Sequence, residues 1–271
     1  MNHQVTRAEV FKALHERPGI FAIPNPWDAG SAKLLASLGF EALATTSAGF
    51  AFSLGRPDGA TSRDETLEHA RGIVEATSLP VSADLEKGFG DEPETCAETI
   101  RLAAGVGLVG GSIEDATGRI EDPIYPFDLS VERVKAAVRA ARSLSFPFML
   151  TARAENFLHG RPDLKDTIRR LEAFADAGAD VLYAPGLATR EEISAVVKAV
   201  APKPVNVLAG GALSLDDLAG LGVKRASLGS ALARAAYGAF LRAAEEIRRE
   251  GSFTFAQEAV PFGKINAMFN D

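Results

Sequence analysis

Short apolar runs alternate with longer amphipathic stretches eight times along this 271-residue chain. The runs are GIFAIPNPW (19–27), EALATTS (41–47), LPVSADLE (79–86), LVGGSIED (108–115), FPFMLTARAE (146–155), DVLYAP (180–185), PVNVLAG (204–210) and KRASLGS (224–230). Between them lie segments such as DETLEHARGIVEAT and VERVKAAVRAARSL, whose apolar residues recur at helical spacing. Several open on capping chemistry: Ser62 precedes Glu65 by three residues and Thr189 precedes Glu192 by three. Near-continuous apolar strands separated by helices describe a parallel sheet covered on both faces. Eight such units in a chain of this length predict an α/β fold, a closed (β/α)8 barrel of TIM type rather than an open sheet. No Ser/Gly/Pro linker or break in composition divides the chain, so residues 1–271 are expected to form one barrel domain.

The composition narrows the function classes. A net charge of −7, with 29 Lys and Arg scattered rather than clustered, argues against nucleic acid or an anionic membrane as the main partner. No apolar run approaches the roughly 18 residues of a membrane span, and the polar N-terminus has no signal-type apolar core. The single cysteine, Cys96, fits a reducing compartment. The expectation is a cytoplasmic protein. Cys96 falls in a predicted helix and the four histidines are scattered, so no zinc set is present. Past the last strand, a long helical stretch runs into FTFAQEAVPFGKINAMFND, with four phenylalanines and a methionine. It reads either as a helix packing on its own barrel or as an oligomer contact, since barrel closure needs no such appendage.

Barrels carry their reacting groups at the carboxyl ends of the strands. Strand three ends in Asp84 and Glu86, which on an extended backbone project from one face. Strand four ends in Glu114-Asp115, strand five in Arg153 and Glu155, strand seven in Asn206, while strand six offers only Tyr183. Carboxylates gathered in a barrel mouth repel one another and lose hydration, and a hard divalent cation resolves that conflict. Asp84 is the first candidate to hold Mg²⁺, with Glu86 and Glu114 behind it, directly or through water. Taken alone, Asp84 and Glu86 read equally well as solvated strand-end acids or helix caps. Arg153 reads as a clamp for a substrate carboxylate or a developing oxyanion, or simply as an ion-pair partner of Glu155 or Glu114. The TTSAG stretch (45–49) offers hydroxyls and a flexible backbone that could cradle a carboxylate, or cap the next helix.

The pieces PNPWDAGSAKLLASLGFEALATTSAG, SLGRPDG, SADLEKGFG, GGSIEDATG and TARAENF, in this order and spacing, resemble the isocitrate lyase/phosphoenolpyruvate mutase superfamily. The resemblance implies a barrel that binds Mg²⁺ (Mn²⁺ as a substitute) and a 2-oxo acid, and that works through a pyruvate-type enolate. By position it implies metal-site roles for Asp84, Glu86 and Glu114, with Glu86 where a D-x-D aspartate is more usual. It implies substrate contacts for Trp27, Thr46, Ser47, Ala48, Asp84, Arg153 and Asn206, and catalytic roles for Asp58, Glu114 and Arg153. It further implies dimers or tetramers that exchange the C-terminal helix, here residues 231–271.

The loop after strand four departs from the known branches. It reads EDATGRIEDPIYPFDLS and lacks the K-K-C-G-H of the lyases as well as the E-D-K, lysine and asparagine of the mutases. Arg119 is its one cation and a candidate gating or anion contact. The sequence therefore favours C–C cleavage of an oxaloacetate-, 2-methylmalate- or isocitrate-like substrate. Phosphonate-cleaving or mutase chemistry is the alternative, and beyond it a barrel that binds 2-oxo acids without turnover, or a scaffold with no metal dependence.

Overall fold

The computed structural model describes residues 3–269. Eight strands form one all-parallel sheet: β1 Phe21–Ile23, β2 Leu43–Ala44, β3 Val81–Asp84, β4 Gly110–Glu114, β5 Met149–Arg153, β6 Val181–Tyr183, β7 Val205–Leu208 and β8 Arg225–Ser227. The order β1-β8-β7-β6-β5-β4-β3-β2 brings the first two strands to the two edges. There the Ala44 amide donates to the Pro24 carbonyl at 3.1 Å and the Asn25 amide group to the Thr45 carbonyl at 3.0 Å, which closes the seam of the barrel.

The helices, in chain order, are α1 His3–Glu16, α2 Ala29–Ser37, α3 Ser47–Ser53, α4 Arg63–Glu75, α5 Pro93–Gly105, α6 Phe127–Arg142, α7 Leu164–Asp176, α8 Arg190–Ala199, α9 Leu215–Gly220, α10 Ala231–Glu250 and α11 Phe262–Ala267. Both predicted capping boxes form: Ser62 with Glu65 starts α4, and Thr189 with Glu192 starts α8. Apolar residues of α2 and α4–α6 pack on β2–β5, and those of α7–α9 on β5–β8, as two continuous cores. A third cluster seals the bottom, where α1 drives Phe11 against Phe21, Met149 and Val181. Gly110 permits that approach, because a Cβ there would come within 2.8 Å of the Phe11 ring.

Two local expectations are corrected. The TTSAG stretch is not a flexible loop, for Ser47 begins helix α3 with the buried Thr46 as its cap. Gly49 is required there, since a Cβ would sit 2.5 Å from Thr46 Cγ2 and 3.1 Å from Trp27 Cβ. Strand β3 stops at Asp84, so Glu86 is not its neighbour on an extended face. Glu86 lies instead in a turn at φ +48°, a left-handed backbone that a non-glycine residue adopts at a cost. The turn closes through the Gly88 amide on the Leu85 carbonyl at 2.8 Å. Among the described residues no helix is long and apolar enough to cross a membrane.

Candidate active site

Register explains how distant residues meet. Glu114, Arg153, Tyr183, Asn206 and Arg225 are successive cross-strand partners from β4 to β8. Strands in a barrel tilt against its axis, so such a row winds from the mouth toward the floor. Glu114 and Arg153 end their strands at the top, while Arg225 begins β8 deep inside.

At the mouth, Arg153 holds three carboxylates at once. Its Nη1 lies 2.8 Å from Asp84, its Nη2 3.0 Å from Glu114 and its Nε 2.8 Å from Glu155. Burial acts to lower the Arg153 pKa, but Glu155, Glu114 and Asp84 outweigh it and keep the guanidinium charged. The acids remain in excess: Asp58, Asp84, Glu86, Glu114 and Glu155 share this one guanidinium. Burial, then the charges of Asp84 and Asp58, pushes Glu86 up to about 7. Burial also raises Glu114 well above the usual carboxylate range, despite Arg153. Asp58, on the exposed rim, is raised by partial dehydration in the cleft and by Asp84.

Asp58, Asp84, Arg153, Asn206 and the Thr46–Ala48 turn line one cavity of about 190 Å³. The amide of Ser47 donates to Asp84 Oδ2 at 3.4 Å, and the amide of Asp84 donates to Thr45 Oγ1 at 3.0 Å. The Thr46 hydroxyl is committed to the Gly49 amide as a helix cap. Glu86 faces an adjoining cleft of about 580 Å³, and its amide donates to Asp84 Oδ1 at 3.2 Å. Trp27 lines neither space; it is half-buried beside Gly49, and its carbonyl meets His69 Nε2 at 2.9 Å. Both polar ends of Asn206 are engaged, Oδ1 by Arg225 at 2.8 Å and Nδ2 by Ser227 at 2.9 Å.

Among the described residues no three His, Cys, Asp or Glu side chains converge as a ready-made chelate. Mg²⁺ does not need one, because it binds through one or two carboxylates and keeps several waters. An excess of raised, oxygen-only acids beside a roomy cleft is the donor chemistry such an ion takes. Asp84, with Glu86 and Glu114 directly or through water, fits it.

One feature of the site escaped the sequence, and another was named there without a role. Arg225 lies at the start of its strand, where a search of carboxyl ends does not look. Tyr183 offered a single hydroxyl among acids, yet its ring lies 5.4 Å from the Arg153 guanidinium carbon and lines the cavity. The loop after β4 is tied down: Ala116 bridges Ile124, Arg119 pairs with Asp91 at 2.7 Å, and Lys87 Nζ reaches the Thr117 carbonyl at 2.8 Å.

Residues 11–248 match the family described as phosphoenolpyruvate phosphomutase. The chain belongs to that family. It is thereby an enzyme of the isocitrate lyase/phosphoenolpyruvate mutase superfamily, whose members are Mg-dependent lyases and mutases. A Burkholderia cenocepacia J2315 protein, itself assigned only provisionally as a lyase/mutase, is 66% identical with a TM-score of 0.97, over 100% of this chain and 98% of that one. The structure of 2,3-dimethylmalate lyase is 27% identical with a TM-score of 0.86, covering 97% of this chain and 95% of that one. Phosphonopyruvate hydrolase, solved with oxalate and Mg²⁺, is 25% identical with a TM-score of 0.86, covering 97% and 94%. The frames of that lyase and that hydrolase are thus equally close to this one.

Proposed function

We propose that this protein is a Mg²⁺-dependent lyase that breaks a C–C bond in a 2-oxo acid or related carboxylate through an enolate. The observation that carries the reading is the surplus of carboxylates around one guanidinium at the mouth of a small polar cavity. Bound at Asp84, Glu86 and Glu114, Mg²⁺ would supply Lewis acidity toward the substrate's carbonyl and carboxylate oxygens. Arg153, held rigidly by three acids, is preorganised to stabilise negative charge that grows on the substrate as the bond breaks. Among the first-turn amides of α3, which lack helical partners, that of Ala48 offers a donor for a carboxylate, and that of Ser47 one it would share with Asp84. Asp58 sits at the rim, where a carboxyl of raised pKa is suited to carrying a proton.

C–C rather than P–C cleavage is favoured by the loop after β4. Transfer of a phosphoryl group calls for cations around its oxygens. Between residues 115 and 130 the sole basic side chain is Arg119, and its guanidinium is spent on Asp91. The nearby Lys87 is spent on Thr117 and on Asp91, 3.5 Å away. A panel of 2-oxo, hydroxy-diacid and phosphono acids, with Mg²⁺ and with EDTA, tests the proposal by following pyruvate, CO2 and phosphate. The expected result is pyruvate or CO2 release that EDTA abolishes. Turnover undiminished by EDTA, or phosphate as the product, contradicts it.

The same reading takes residues 231–271 as an oligomerisation segment, exchanged between subunits of a homodimer or homotetramer in the cytoplasm. Its support is α10, in which Ala233 alone of twenty residues is buried while Phe240, Leu241 and Ile247 are exposed, with Phe253 and Phe262 beyond. Light scattering on the intact chain and on one truncated after residue 230 checks it, a monomeric intact chain being the contrary result.

A further inference from the structure

Arg225 is a buried cation with no acid to balance it among the described residues. It is 5% exposed, and burial lowers its pKa only to about 10, so it stays charged at neutral pH. Its guanidinium donates to three neutral acceptors: Asn206 Oδ1 at 2.8 Å, Thr151 Oγ1 at 2.9 Å and His15 Nε2 at 3.3 Å. Three of the five N–H bonds of a guanidinium are thus used, which leaves two, and Arg225 lines the cavity.

The layer beside it is unlike a barrel core. Side chains alternate along a strand, so the residues two before Asp84, Glu114 and Arg153 share their face, one layer further down. They are Ser82, Ser112 and Thr151, where barrels usually carry bulky branched side chains. Thr151 is taken by Arg225, and Ser112 is its register partner on the next strand. Ser82 and Ser112 both line the cavity, and neither hydroxyl has a hydrogen-bond partner among the described residues. Ser82 is only 5% exposed. A buried hydroxyl left unpaired costs stability, and a guanidinium buried without a counter-charge costs more. One group cures both faults: an anion whose oxygens accept from Arg225 and from the two serines.

We propose that this floor binds the distal carboxylate of a dicarboxylic substrate, and that Arg225 selects diacids over monoacids. The inference rests on the proposed function, which puts the reacting end of the substrate at the mouth beside Asp84. Ser82 lies two residues below Asp84, a drop of about 5 Å on a tilted strand. At about 1.5 Å per bond, a chain of about four or five carbons covers that drop, so the substrate class is a 2-oxo diacid of that length. The rim cations offer the distal end no rival seat, because Arg119 and Lys87 both pair with Asp91.

The test is calorimetric titration of malate and of 2-hydroxybutyrate into the full-length protein in Mg²⁺. The two acids have the same carbon count and differ in the distal carboxylate. Wild type should prefer malate by about tenfold or more, the usual size for one charge-assisted hydrogen bond. In Arg225→Met that ratio should fall to about one. Ser82→Ala removes a hydroxyl with no partner to lose, so its melting temperature should match wild type while the ratio falls about threefold. This second variant decides the matter if Arg225→Met fails to fold. A ratio of one in wild type overturns the inference and leaves the metal-dependent lyase standing. So does a malate preference that survives in the variants. Acetate alone, binding wild type as tightly as malate does and Arg225→Met not at all, would mean that the floor takes a free acid, which also overturns it. If neither hydroxy acid binds in Mg²⁺, the proposed function itself fails and this inference falls with it.

Discussion

The two ends of the barrel interior carry opposite electrostatic faults. At the mouth, several carboxyl groups compete for Arg153, and burial raises Glu86 and Glu114 because one cation cannot satisfy them all. At the floor, Arg225 has no acid partner among the described residues, only an amide oxygen, a hydroxyl and an imidazole. Neither arrangement is what stability alone selects, since apolar groups of like volume fill such spaces at least as well. The contrast teaches that the layers have different tasks. The mouth is short of positive charge, which a divalent ion would supply; the floor uses a fixed positive charge to orient the neutral Asn206 above it.

The largest effect that would break this contrast belongs to Asp84. Replacing it by Asn keeps size and most hydrogen bonding but removes charge where the ion is proposed to bind, and kcat/KM should fall by about 10³-fold or more. A loss under tenfold, measured on whichever substrate the panel reveals, would move the metal elsewhere. Arg153→Met comes next. It leaves Glu155, Glu114 and Asp84 buried without a counter-charge, which costs about 3–5 kcal/mol of folding stability. Denaturant unfolding reads that loss, and Mg²⁺ should restore more stability to the variant than to wild type.

His15 sharpens the floor. Burial first, then Arg225, holds its imidazole down to about 3, so it stays neutral in the fold and accepts from Arg225. The unfolded chain takes up a proton near 6.5, so stability is full above that pH and falls below it, by about 1.4 kcal/mol per pH unit toward 3. His15→Gln keeps an acceptor for Arg225 but cannot titrate, and the variant's stability curve should lose this part of its acid slope. An identical slope would mean that His15 is not neutral. The smallest effect is at the rim, where Arg119 and Asp91 are each about half exposed. Arg119→Ala should leave the melting temperature close to that of wild type, because so exposed a pair is screened by water and salt.

The sequence makes the barrel legible because its strands read as apolar runs between amphipathic stretches, and several helices, α4 and α8 among them, open on a recognisable capping box. The acids of the mouth were legible for a related reason, as nothing in packing places Asp84, Glu114 and Arg153 at the ends of neighbouring strands. What stayed hidden depended on three-dimensional fit. α3 is seven residues long with a glycine inside it, too short for periodicity to reveal, and forms because Thr46 caps it and Gly49 fits against Trp27. Glu86 leaves the strand through a left-handed turn that no side-chain pattern announces. Arg225 is invisible to a search of strand ends because the stagger of the sheet carries the row from Glu114 down to it.

Manganese resonance spectroscopy on metal-stripped protein, with Mg²⁺ as competitor, probes the charge-deficient mouth most directly. Wild type should bind one Mn²⁺ that Mg²⁺ displaces, and Asp84→Asn should bind it far more weakly. Equal Mn²⁺ binding in the two proteins, or none in wild type, would contradict the account.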